Sequence, residues 1–280
     1  YTLKQLSRVA PVLLMTATFS QAMLTELARE LHAETVLVSK EEAATIDTRR
    51  GKYVPRQRVW RVADGPLTAE AVLAVHNRRS LALCNTVGRA RLLFRALRKL
   101  AREQAPEVEV LLLHSRFLPE DRRRTEDRLR ALFGEGMGMA GSVIAVATQT
   151  IEVGLDITCE TLHTEVAPAG ALIQRAGRCA RFPAEQGQVI VYPVEKPLPY
   201  RAEQAAELPA ALAWLSEHQN HAFDFKAEQD LVNAVATPSD RRALDSLSSG
   251  RALRADAIQR VLGGDRQGDD RRLLVRDADS

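Results

Sequence analysis

Two periods of apolar and polar positions divide most of this chain. Short apolar runs that end in polar turns read as strands over Arg58–Val62, Ser80–Asn85, Glu109–His114, Val143–Ala147, Thr161–Val166 and Gln188–Tyr192. Helical spacing marks the stretches between them: Thr68–Asn77, Val87–Gln104, Pro119–Phe133 and Gly170–Cys179. In the second of these, Leu93, Ala96, Leu97 and Leu100 form the apolar stripe. Alternation of this kind predicts an α/β fold, a parallel sheet with helices on its faces. Upstream, Pro11–Met15 reads as a short buried strand, and Ser20 as the cap of a helix over Gln21–Leu31. Residues 40–55 are charged, carry Gly51 and Pro55, show no period, and read as a linker. The glycine-rich stretch Gly134–Gly141 is expected to be a mobile loop. Beyond Pro199 strands vanish. Helices are expected over Ala205–His218, Phe225–Ala236, Ser239–Leu247 and Ala252–Leu262, with a frayed polar end from Gly263.

Composition narrows the class without deciding it. At 280 residues, 45% apolar and 27% charged, the chain suits a globular protein with a real core. A net charge of +3 neither demands nor excludes nucleic acid, because a local basic groove matters more than the total. Cys84, Cys159 and Cys179 show neither disulfide nor zinc spacing, which fits a reducing cytoplasm. The first residues resemble no signal peptide, no apolar run is long enough for a membrane span, and no initiator methionine is present. The expectation is a fragment of a longer cytoplasmic protein.

Several central strands run into polar residues at the same end, and ligands of open parallel sheets bind beyond the carboxyl ends of the strands. Asn85 and Thr86 either cap the next helix or lend its free N–H groups to a phosphate. His114 suits a sheet edge, and with Ser115 and Arg116 beside it suits a phosphate contact equally. Thr148 either caps a turn or meets a backbone phosphate. Arg122–Arg124 read as mostly solvated. His218 and His221 have no third ligand nearby, so no metal site is expected. Aromatic residues make up only 5%, so a single strand would be held by its backbone, with little sequence preference and strong salt dependence.

The densest chemistry lies at Gln174-Arg175-Ala176-Gly177-Arg178-Cys179-Ala180-Arg181. On a helix Arg178 and Arg181 share a face, and arginine's rigid fork fits phosphate oxygens. In isolation the run could also be a solvated face. Just upstream, Glu152 and Asp156 flank Gly154 in a tight turn. They are either a solvated or salt-bridged pair, or carboxylates that hold a ribose hydroxyl or orient an arginine. The chain carries no Gly-x-x-x-x-Gly-Lys-Ser/Thr phosphate loop and no Asp-Glu-x-x box. It is therefore expected to be inactive alone.

Taken in order, Leu14-Met15-Thr16-Ala17-Thr18-Phe19, Leu83-Cys84-Asn85-Thr86-Val87, Ala147 to Ile157, and Gln174 to Arg181 resemble motifs III, IV, V and VI of superfamily 2 helicases. The segments Leu113-His114-Ser115-Arg116-Phe117, Ile151 to Ile157, and Thr164 to Pro168 leading to Leu172-Ile173-Gln174-Arg175 resemble one branch, the CRISPR-associated helicase–nucleases of type I systems. The resemblance covers about residues 10–235. It implies two RecA-like lobes with ATP and Mg2+ between them, the magnesium ligands lying in the missing first lobe. The end of lobe one and a linker would occupy 1–55, the second RecA-like lobe 56–195, and a helical extension 196–280. Carried over, Arg178, Arg181 and Gln174 are catalytic, with Arg181 the arginine finger. Gly154, Asp156, Arg178 and Arg181 face the nucleotide. Asn85, Thr86, Ser115, Arg116 and Thr148 face nucleic acid, and Thr16, Thr18 and Glu152 couple the two. The implied function is an ATP-dependent single-strand DNA helicase or translocase of CRISPR interference. Its partners would be single-stranded DNA, an RNA-guided surveillance complex, the first lobe and a nuclease domain, with no membrane. Another superfamily 2 helicase of RNA or DNA, or a non-catalytic nucleic-acid-binding module, remains open. Two departures stand out: Thr150 replaces a usually apolar residue, and Thr158-Cys159-Glu160 replaces an acidic-aromatic-acidic string.

Overall fold

A computed structural model describes residues 9–16, 18–37, 39, 42, 57–135, 141–152, 154–182 and 184–262. Six strands form one all-parallel sheet: β1 (Gln57–Val62), β2 (Arg79–Leu83), β3 (Val108–Leu113), β4 (Ser142–Ala147), β5 (Thr161–Glu165) and β6 (Gln186–Tyr192), in the order β1-β6-β5-β2-β4-β3. The central strands are apolar on both faces, as a sheet covered by helices on each side requires. Ala82, Cys84, Ile144 and Val146 point to one face, where α2 (Ala69–Ala74) and α3 (Val87–Gln104) pack through Val72, Ala90, Leu93, Leu97 and Ala101. Leu81, Leu83, Ala145, Leu162 and Val191 point to the other, covered by α4 (Pro119–Phe133), α5 (Ala169–Ala176), α6 (Ala202–His218) and α7 (Phe225–Leu262). Burying one leucine this way contributes roughly 1.5–3 kcal/mol.

Local signals set the helix ends. Thr86 caps α3 by accepting from the Arg89 N–H at 3.3 Å, and Thr68 caps α2 in the same manner. Pro119 opens α4, with Glu120 and Asp121 in its first turn, where the dipole favours them. One member of the expected α3 stripe is corrected: Ala96 faces out, and the buried line runs Ala90-Leu93-Leu97-Ala101. Helix α5 ends at Ala176, three residues before the expected end. There Cys179 leaves the helical path to pair with Cys159 in a parallel bridge, so Arg178 and Arg181 sit on a turn, not on one helix face.

The C-terminal helices share the core of the sheet. Leu208, Leu215, Phe223, Leu231 and Val235 belong to the same apolar cluster as Trp60 and Val189. Phe223 stacks on Trp60 at 5.2 Å between ring centroids, and the backbone of 220–223 hydrogen-bonds to Arg58 and Trp60, covering the exposed edge of β1. The three helices expected after residue 224 are one, running through Pro238. Buried Leu231, Val232, Val235 and Ser239 pack on either side of the proline, and this packing outweighs the lost backbone hydrogen bond.

The expected buried strand Pro11–Met15 is a second correction. These residues form no strand, and Leu13 and Met15 are 83% and 86% exposed, because no described segment offers them a pairing edge. The helix α1 (Gln21–Leu31) forms as expected and docks on α7, where Asn233 accepts from the Gln21 N–H and Asp240 from the Ser20 hydroxyl. Apart from Glu42, the stretch 40–55 read as a linker lies outside the described residues, as do 136–140 of the glycine-rich loop and all of 263–280. No helix among the described residues is long and apolar enough to cross a membrane.

Candidate functional site

Strand register puts the polar strand ends on one edge. Leu83, Leu113 and Ala147 are level across β2, β3 and β4, so the chain segments that begin at Cys84, His114 and Thr148 leave the sheet at the same level. Ser115 and Arg116 are exposed, Thr86 is half-buried at its helix cap, and Thr148 is buried. His114 is buried beneath them, its Nδ1 accepting from the Arg116 N–H at 3.2 Å and its ring 4.5 Å from Phe117. Burial, with Arg91 and Arg116 nearby, lowers its pKa, so the ring is neutral at pH 7. Beside it lies a groove of about 380 Å³ lined by Arg91, Arg116, Phe117 and Asp121 among others. The Arg116 guanidinium has no ion-pair partner among the described residues.

Asn85 lies apart from this open edge. Its side chain donates to the Val166 carbonyl at 2.8 Å and accepts from Arg175 at 3.0 Å. Both ends of the amide are engaged inside the protein, so what it can do is position its neighbours. Arg175, fully buried, is the centre of this arrangement. Its Nε donates to Glu152 at 2.8 Å, its Nη1 to Asn85, Thr164 Oγ1 and the Glu165 carbonyl, and its Nη2 to the Tyr200 hydroxyl at 3.1 Å. Tyr200 also accepts from Gln149. Nearby, burial raises the pKa of Glu165, while the Asn85 N–H, Arg89 and Arg175 pull it back down. Arg89 lies 3.0 Å from that carboxylate.

The other two arginines lie on the turn after α5. Arg178 donates to the carbonyls of Ile151 and Glu152 at 3.2 and 2.6 Å, clasping the short 3-10 turn Gln149–Ile151. Burial lowers its pKa, with Arg181 adding to the effect. Arg181 pairs with Asp156 at 2.5 Å, and here both partners reach solvent, the carboxylate being 71% exposed. Its N–H also donates to Thr158 Oγ1. Gly154 turns the chain toward Asp156 at φ +84°, a conformation that side-chain-bearing residues rarely adopt. Gln174 is exposed near the end of α5.

Thr18 touches the other end of α5. A Cβ placed on Gly170 would come within 3.2 Å of the Thr18 side chain, so the glycine permits this close approach. Thr16 lies exposed, its hydroxyl accepting from the Thr18 N–H. Helix α5 thus has Thr18 at its start and the arginine turn at its end. No group of His, Cys, Asp or Glu among the described residues is arranged to hold a metal ion.

Sequence reading missed Tyr200, Thr164, Gln149 and Glu165 as partners in this site. Arg175 was visible as one of three arginines, but nothing in the spacing says that it turns inward. A clue lay in the apolar approach Ala171-Leu172-Ile173, which half-buries the helix.

A family model described as "CRISPR-associated nuclease/helicase Cas3, C-terminal" matches residues 76–184. The chain is 37% identical over 99 residues to the CRISPR-associated endonuclease/helicase Cas3 of Escherichia coli, covering 35% of this chain and 11% of that protein. It is 36% identical over 137 residues to a Cas3 nuclease/helicase of Myxococcus xanthus, covering 47% of this chain and 17% of the relative. The chain therefore spans a small part of the length of these relatives. Among solved structures it resembles T. fusca Cas3 with ATP, at a TM-score of 0.57 and 22% identity over 70% of this chain and 26% of that one. It also resembles a chain of a CRISPR RNA-guided surveillance complex before nicking, at a TM-score of 0.52 and 23% identity over 71% of this chain and 28% of that one. At these identities the structures speak for the fold, which is RecA-like. Through residues 76–184 the chain is similar to the C-terminal part of the Cas3 CRISPR-associated nuclease/helicases.

Proposed function

We propose that this chain is the second motor lobe of a cytoplasmic, ATP-dependent helicase or translocase that moves on single-stranded DNA in CRISPR interference. The observation that carries the reading is the Arg181–Asp156 pair, an arginine on a turn whose one carboxylate partner among the described residues is open to solvent. An incoming phosphate can replace or share that carboxylate with little rearrangement, so the turn fits a nucleotide's terminal phosphates. Bound ATP would supply the phosphoryl group. This chain's part is to hold Arg181 ready and to fix the turn through Arg178. An arginine so placed stabilises the charge that develops during transfer. The donor set here does not fit Mg2+, and on this reading its ligands belong to the first lobe.

The open edge of Thr86, Ser115 and Arg116, with the buried Thr148 behind it, would hold the strand by its backbone. Asn85, Glu152 and Arg175 would link that edge to the arginine turn, and Thr16 and Thr18 would pass the nucleotide state into α5. By analogy with the surveillance-complex structure, the full-length protein would act beside an RNA-guided complex and a nuclease domain. The test is phosphate release by the full-length protein with and without single-stranded DNA. Strong stimulation by DNA is expected. Turnover indifferent to DNA would overturn the reading, and stimulation by RNA alone would move the protein to another class of helicase.

A further inference from the structure

The outer face of α3 carries Arg91, Arg95, Arg98 and Arg102, all exposed. Their spacing of four, three and four residues places them within about 60° of one line, opposite the buried Ala90-Leu93-Leu97-Ala101. The line is about 16 Å long. None of the four has an ion-pair partner among the described residues, and the nearest acid on the helix, Glu103, sits at its end.

An arginine-rich composition does not explain this. Helix α4 carries five arginines, yet acids are interspersed among them and three are matched: Arg122 with Glu126, Arg128 with Glu109, and Arg130 with Asp127. On α3 the like charges stand three and four apart without acids between them, which costs an isolated helix a few tenths of a kcal/mol per pair. The face is also continuous with the candidate nucleic-acid edge. Arg91 lines the groove beside His114 and Arg116, and its charge acts on the His114 ring. Next along the helix, Arg95, Arg98 and Arg102 share a shallow depression with Lys99, Glu103 and the half-buried Phe94.

We propose that the arginine line of α3 is a second contact surface for the backbone of single-stranded nucleic acid, carrying the strand from the sheet edge along the outside of the lobe. The proposal rests on the reading of that edge as a nucleic-acid site. A row of guanidinium groups with one carboxylate, Glu103, at its end suits a polyanion of repeating phosphates. The scarcity of aromatic groups along it implies little base preference.

The test uses the full-length protein and two labelled DNA oligonucleotides. One is shortened until its affinity begins to fall, so that it just fills the sheet edge, and the other is twice as long. A triple variant, Arg95→Gln, Arg98→Gln and Arg102→Gln, alters only exposed positions and keeps good helix formers. It should bind the short oligonucleotide as the wild type does. It should bind the long one more weakly, with a salt slope shallower by about 2, or about 0.7 for each lost phosphate contact. Equal affinity and slope for wild type and variant on the long oligonucleotide would overturn the proposal. If that equality comes with lost binding of polyglutamate, the face belongs to an acidic protein partner instead. Arg116→Ala separates the two ideas, because it should weaken the short oligonucleotide. If it does not, the reading of the edge fails while the α3 result stands or falls by itself.

Discussion

Arg175 and Asn85, ninety positions apart in sequence, meet at 3.0 Å between guanidinium and amide oxygen, both out of contact with water. The same guanidinium reaches Glu152, Thr164 and Tyr200, so one side chain fixes four segments of the chain. Removing it leaves a buried carboxylate without its cation. Arg175→Ala should therefore cost about 3–5 kcal/mol, the range for breaking a buried ion pair from one side. Arg175→Lys should recover little, because an ammonium lacks the planar fork that reaches these partners. Urea unfolding of the chain measures both, and a loss below about 1 kcal/mol for the alanine variant would show that the network contributes little.

Much of the fold was legible before the structure. Helix α3 begins and ends where periodicity and the Thr86 cap place it. The strands fall within two residues of their expected bounds. What failed was non-local. Apolarity alone makes Pro11–Met15 look like a strand, but a strand needs a partner edge, and sequence does not say whether one is present. Pro238 looks like a break, yet packing on both of its sides carries the helix through. The candidate site was legible as residue types. Which arginine turns inward depends on where α5 ends, and a pairing with Cys159, far away in sequence, decides that.

Thr150 offers a test of its departure from the family pattern. Its hydroxyl is shielded from solvent and has no hydrogen-bond partner among the described residues. Leaving such a group unsatisfied costs about 1–3 kcal/mol. Thr150→Val removes the polar atom at nearly constant shape. It should stabilise the chain by about 1 kcal/mol in the same unfolding measurement. A clear destabilisation would mean that the hydroxyl has a partner in solution.

Acid should weaken the fold partly through His163. Its Nδ1 meets the Tyr192 hydroxyl at 2.8 Å, its Nε2 has no partner, and burial, with His76 adding to it, lowers its pKa from 6.5 to about 3. Below pH 6.5 the unfolded chain takes up a proton that the folded chain refuses. Its contribution is therefore full above that pH and is lost as pH falls toward 3, with a slope approaching about 1.4 kcal/mol per pH unit. His163→Gln should flatten the stability profile between pH 6 and pH 4. Parallel profiles for wild type and variant would exclude the histidine as the source.

Arg181 and Arg178 should separate by kinetics in the full-length protein. Arg181 reaches solvent beside Asp156, whereas Arg178 is tied to two carbonyls of the Gln149–Ile151 turn. Arg181→Ala should lower the turnover number for ATP by roughly 10³-fold, with nucleotide affinity changed much less, because a finger acts on transition-state charge. Arg178→Ala loosens the turn itself, so it should disturb nucleotide binding as well. Single-turnover phosphate release and nucleotide titration read the two quantities apart. Preserved turnover with lost binding in Arg181→Ala would assign that residue to a ground-state contact.

Arg116 tests the nucleic-acid edge in the same protein. It follows β3 on the exposed side of the sheet, its backbone held by His114, and its guanidinium is left unpaired although Glu120 and Asp121 lie close by in sequence. If it holds a phosphate, Arg116→Ala should weaken single-strand binding about equally for every base sequence tried. The salt slope should become shallower by about 0.7, the value for one lost contact on a single strand. The competing account makes Arg116 a stabilising partner of those carboxylates in solution. On that account the substitution would cost at most about 1 kcal/mol of stability, as an exposed pair does, and leave affinity alone. Titrations with several oligonucleotides at several salt concentrations, run beside urea unfolding, distinguish the two. Unchanged affinity and slope would remove Arg116 from the strand's path, leaving Arg91 as the cation of that groove.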